Sequence, residues 1–93
     1  MKNHIMQDKE LLEEVLKAMV TRPEDVQVSR GVDEMGVLLS VKVADEDAGI
    51  VIGKEGRGVQ ALRTIMNTVG RRVNARVNIK LQVPELAGRT DRI

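Results

Sequence analysis

The stretch from Val73 to Val83, VNARVNIKLQV, alternates apolar and polar residues without a break. Val73, Ala75, Val77, Ile79, Leu81 and Val83 fall on one face; Asn74, Arg76, Asn78, Lys80 and Gln82 fall on the other. That is a strand with one side buried and one side wet. VLLSVKV, residues 37–43, repeats the pattern with Val37, Leu39, Val41 and Val43 in phase, and EDVQVSRG supplies a shorter strand carrying Val26 and Val28. The polar segment Gly31 to Gly36 between them predicts a hairpin with a six-residue loop. A hairpin uses two antiparallel strands, so the third must run parallel to one of them in a mixed three-stranded sheet.

The remaining segments follow a helical period. From Ile5 to Val20, apolar residues recur at three- and four-residue steps with Asp8, Lys9, Glu10, Glu13, Glu14 and Lys17 opposite, and Pro23 ends the run. Asp45, Glu46 and Asp47 read as the capped, acidic start of a second helix, cut short at Gly53. A third begins after Gly56. Val59, Leu62, Met66 and Val69 form its inner stripe, Arg57, Gln60, Arg63 and Asn67 its outer face, and Gly70 suits its C-cap. Three amphipathic helices and one sheet face to cover predict an α+β, two-layer sandwich of order α-β-β-α-α-β. Residues 1–84 are expected to form a single domain, with 85–93 as a flexible tail after Pro84.

Composition removes several classes of function. The 93 residues include no Phe, Tyr or Trp, which excludes the aromatic stacking platforms of many nucleic-acid modules. They include no Cys, so there is no disulfide framework, thiolate metal site or cysteine nucleophile. His4 is the only histidine and has no companions at metal-ligand spacing. No nucleophile stands beside a base, so neither an enzyme nor a cofactor is expected. Without a membrane-length apolar run or a signal peptide, a cytoplasmic protein with no membrane attachment is expected.

Net charge is only +1, yet it is unevenly spread. Residues 1–52 carry 6 basic and 11 acidic side chains, whereas residues 53–82 carry 7 basic ones against Glu55 alone. Such asymmetry points to an anionic partner, unless the two halves neutralise each other in the fold.

The basic half opens on GKEGRG, residues 53–58. The preceding GIVIGKE has one residue too few between its glycines for a Walker A loop, and Glu55 stands where that loop needs Ser or Thr. The glycines are also in the wrong order for a dinucleotide fingerprint and join two helices. What remains is a sharp turn opening a helix at Arg57, whose free N–H groups and dipole favour an anion beside Lys54 and Arg57. A nucleic-acid phosphodiester fits that surface; on spacing alone, so does a plain helix corner with solvated charges.

VIGKEGRGV, Val51 to Val59, resembles the V-I-G-x-x-G-x-x-I signature of the KH domain, and the element order resembles its type II, bacterial arrangement. The small size, the N-terminal helix and the acidic ADEDAG stretch resemble the stand-alone bacterial KH proteins of the KhpA type. The resemblance implies a single-stranded RNA-binding module whose GxxG loop holds the backbone of about four nucleotides while their bases lie in an apolar groove. By position, Gly53 and Gly56 would form the clamp, with Lys54 and Glu55 as its variable pair and Arg57 beside it. Ile50 and Ile52 are candidates for the groove wall or for the core. The opposite wall would come from Val77 or Asn78 and from the loop Gly31–Gly36, whose Asp33 and Glu34, like Glu55, should repel phosphate and keep binding weak. The family also implies post-transcriptional or RNA-chaperone work linked to cell shape, as a homodimer or with a larger KH-containing protein. A dimerising protein-interaction subunit and a single-stranded DNA binder are the alternatives.

Overall fold

The computed structural model describes residues 7–82 of the chain. Ile5 and Met6 of the first helical pattern, His4, Val83, Pro84 and the tail expected over 85–93 lie outside the described residues. Helix α1 spans Asp8–Met19; Glu10 reaches back to accept the Gln7 N–H at 3.0 Å, fixing its first turn. A single 3-10 turn at Pro23–Asp25 leads into strands β1, Gln27–Asp33, and β2, Gly36–Lys42. The chain then passes through a second 3-10 turn into α2, Ala48–Ile52. After the glycine loop come α3, Arg57–Arg71, and β3, Val77–Gln82.

The sheet has the order β1-β2-β3, antiparallel on one side of β2 and parallel on the other, the mixed sheet expected. In register, Val28, Val41 and Leu81 form one row of the inner face, with Leu39 beside Ile79 and Val37 beside Val77 in the next rows. The helices cover this face. Leu12 and Leu16 of α1, Val51 of α2 and Leu62 and Met66 of α3 close the core against it. Val59 and Val69, expected in the inner stripe of α3, are only half-buried at its margins. The opposite sheet face, with Gln27, Ser29, Lys42, Asn78 and Lys80, stays open.

Four local expectations are corrected. The hairpin has a two-residue turn, Glu34–Met35, because pairing continues to Asp33 opposite Gly36. The Asp33 carboxylate accepts the Met35 N–H at 2.8 Å, a local bond that closes the turn despite its polar sequence. The last strand starts at Val77 and not at Val73, which is 70% exposed. The C-terminal carbonyls of α3 take precedence there: Val69 accepts Arg72 N–H, Gly70 accepts Val73 and Ala75, and Arg71 accepts Asn74. Gly70 is therefore not the cap but lies inside α3. A Cβ on it would sit 2.6 Å from the Ala75 carbonyl oxygen, so only glycine lets the chain wrap back so closely.

Asp45, Glu46 and Asp47 do not cap α2 through their side chains. Asp47 is wholly buried and accepts three hydrogen bonds from the exit of α1: Thr21 N–H at 3.1 Å, Thr21 Oγ1–H at 2.8 Å and Arg22 N–H at 3.0 Å. Burial, the largest single influence, opposes its charge. The donors of Thr21 and Arg22 together outweigh it and hold the carboxyl below the ordinary aspartate range.

Candidate nucleic-acid interface

The junction between α2 and α3 is built on backbone contact. Gly53 has φ +78°, and a Cβ there would lie 2.5 Å from the Gly58 nitrogen; a Cβ on Gly58 would lie 2.4 Å from the Val51 carbonyl oxygen. The two helices thus cross at a separation that no side chain permits. Between them Lys54–Gly56 makes a single turn in which Glu55 and Gly56 both take left-handed conformations, at φ 57° and 77°. That backbone pushes Lys54 and Glu55 outward, and both are exposed. Glu55 meets Arg57 at 3.7 Å, a pair with both partners open to solvent and of little energetic weight.

Gly56 is the N-cap of α3 and no side chain caps the helix. Its first-turn N–H groups therefore have no side-chain acceptor, and the positive end of a 15-residue helix faces the loop. Beside it, Ile50 is 45% exposed and Ile52 half-buried, while Val51 between them fills the core. The sequence left Ile50 and Ile52 open between wall and core, and neither joins the core. Of the two candidates on the last strand, Val77 is fully buried beneath α3 and so cannot form a wall; Asn78 is exposed on the open sheet face. The Gly31–Gly36 segment lies at the start of β2, the end of that strand opposite the one leading into α2.

The model of the KhpA/KhpB KH domain matches residues 9–81. The chain belongs to the KhpA/KhpB KH-domain family. An "RNA-binding protein KhpA" from Clostridium acetobutylicum is 42% identical over 73 residues, covering 78% of this chain and 97% of the relative. Proteins of the same name from Chlamydia pneumoniae, 37% identical over 73 residues (78% of this chain and 94% of the relative), and Streptomyces coelicolor, 43% identical over 63 residues (68% and 80%), are similar too. The matched region takes in the whole fold but for the first residue of α1 and the last of β3, and the α+β arrangement with its mixed three-stranded sheet is that of a type II KH domain. Among the described residues no helix is long and apolar enough to cross a membrane, and no group of side chains is placed to hold a metal.

Two features of this site were not read in the sequence. Gly58 looks like one more residue of a helix start, although its spacing from Gly53 is the available signal for a close crossing. Alternation places Arg76 on a wet strand face; it precedes β3, its carbonyl accepting the Val37 N–H at 2.7 Å, and it lines a recess together with Thr64, Asn67, Thr68 and Arg71 of α3.

Proposed function

We propose that this chain binds single-stranded RNA, with Gly53-Lys54-Glu55-Gly56 closing on the phosphate backbone and Ile50 and Ile52 offering an apolar wall to the bases. One observation carries the reading. A left-handed loop presents an uncapped helix N-terminus, with Lys54 and Arg57 beside it, at the head of a segment that has no acidic residue from Gly56 to Gln82. The names of the relatives support the same ligand. Glu55 within the loop keeps a single module weak, which fits a cytoplasmic post-transcriptional regulator or RNA chaperone better than an enzyme. Replacing Lys54 and Glu55 together by Asp should lower affinity for a labelled oligouridine on the order of a hundredfold, with an unchanged far-UV circular dichroism melt. Full binding by the folded double variant refutes the clamp.

A second reading, association with another KH protein or a second copy, rests on exposed apolar groups. Ile65 is 46% and Val73 70% exposed, and β3 is an edge strand among the described residues. The apolar stripe of α1 is spent on its own core, with Leu12 and Leu16 at 0% exposure. Sedimentation followed by interference optics, needed because the chain lacks aromatic residues, should show a dimer at moderate concentration. A monomer throughout, with no KH partner recovered from extract, removes this reading.

A further inference from the structure

We propose that a single strand of RNA held at the Gly53–Gly56 loop is gripped a second time at the far end of α3. The site is the recess between that helix and the segment entering β3. The inference rests on the RNA-binding reading and extends its footprint beyond the loop. A recess of about 800 Å³ lies there, lined by Thr64, Asn67, Thr68, Arg71, Asn74 and Arg76. Its two cations have no acidic neighbour within the segment 56–82. Neither takes part in an ion pair among the described residues, so their donors are free for phosphate oxygens.

The polar side chains complement those donors. Thr64 Oγ1–H donates to the Gln60 carbonyl, Thr68 Oγ1–H to the Thr64 carbonyl and Asn67 Nδ2–H to the Arg63 carbonyl, at 3.0–3.1 Å. Each hydroxyl thereby spends its hydrogen on the helix and keeps acceptor lone pairs, as does Asn67 Oδ1. Acceptors of this kind suit 2′-hydroxyls and base amino groups, while Arg71 and Arg76 suit phosphates. A helix C-terminus ordinarily repels anions. Here the carbonyls of Val69, Gly70 and Arg71 are already bonded to N–H groups of residues 72–75, which masks that end.

The two grips are joined by one uninterrupted face. Arg57, Gln60, Thr64, Thr68 and Arg71 recur at three- and four-residue steps and all are exposed. Fourteen residues of helix set Arg57 and Arg71 about 21 Å apart, which about six nucleotides stacked at about 3.4 Å would cover. A four-nucleotide ligand held at the loop falls short of the recess.

The test compares fluorescence anisotropy titrations of labelled oligouridines of four and twelve nucleotides with the natural chain, the Arg71→Gln/Arg76→Gln variant and the Lys54→Asp/Glu55→Asp variant. A longer strand offers more registers to every protein, so proteins are compared at equal length. The Arg71→Gln/Arg76→Gln variant should bind the 4-mer like the natural chain and the 12-mer about tenfold more weakly, with a log–log salt slope lower by about 1.4. Arg71→Lys/Arg76→Lys should restore the slope, which a structural role for the two arginines would not predict. Equal 12-mer affinities and slopes for the natural chain and the glutamine variant overturn the second site. Retained 4-mer binding by the Lys54→Asp/Glu55→Asp variant instead overturns the clamp, leaving the glutamine variant's 12-mer result to decide the recess separately.

Discussion

The two halves of this molecule handle charge in opposite ways. In the acidic half both arginines are consumed internally: Arg22 pairs with Asp25 at 3.0 Å, Glu46 at 3.5 Å and Glu24 at 3.7 Å, and Arg30 with Asp8 at 2.9 Å. The guanidinium of Arg22 is held above its ordinary value by Asp25 first, then Glu46 and Glu24. Asp47 ties the same region together from inside. In the basic half the joints are made without charged groups. Gly53 against Gly58, and Gly70 against Ala75, let backbones meet directly. The one ion pair there among the described residues is the exposed Arg57–Glu55 contact. The folding of that half calls on almost none of its cations, which stay outside ion pairs among the described residues. The alternative, neutralisation of one half by the other, is not seen among the described residues: these pairs lie within the halves.

The sharpest way to break this comparison is to put a side chain into a backbone joint. Gly58→Ala should destabilise the fold by about 3 kcal/mol, because the new methyl meets the Val51 carbonyl at 2.4 Å and rigid backbone must move. Gly56→Ala, where a Cβ meets nothing, should lose only about 1–2 kcal/mol from its left-handed φ. Urea titrations followed by far-UV circular dichroism separate the two; equal losses would mean that the close crossing is not what requires Gly58.

Next in size is Asp47→Asn, which removes the charge on which three donors converge and should lower the thermal midpoint at neutral pH. The pH dependence has a definite sign. The folded-state value lies below the ordinary 3.8, so the aspartate's contribution is complete above that value and is lost as pH falls through the lower folded one. The stability gap between the natural chain and Asp47→Asn should be constant from pH 7 to about 4 and shrink below it. A gap that instead narrows between pH 7 and 5 would contradict the burial and bonding of this carboxylate.

Smaller still, Arg30→Gln breaks a partly exposed pair and should reduce stability by less than about 1 kcal/mol, leaving RNA affinity unchanged. Arg57→Gln should alter stability by less than about 0.5 kcal/mol, yet reduce the salt slope of RNA binding by about 0.7. If Arg30→Gln moved the slope as much as Arg57→Gln, the division between consumed and free cations would fail.

Alternation and periodicity in the sequence determined the element order and the helix-covered face, because side chains at period 2 or 3.6 turn one face of each element to a shared core. The glycine loop, and the lack of acidic residues between Gly56 and Gln82, were equally plain there, since both are local properties of the chain. Only the tertiary structure decided where β3 begins, for the α3 carbonyls claim the N–H groups of Arg72, Val73, Asn74 and Ala75, which alternation alone assigns to a strand. It alone turned Asp47 from a supposed cap into a tie across 26 residues to Thr21, because a buried carboxylate bonds whichever donors the fold brings to it. It also decided which glycines are indispensable. A turn announces itself in sequence, but the 2.4 Å that forbids a side chain at Gly58 exists only once α2 and α3 have crossed.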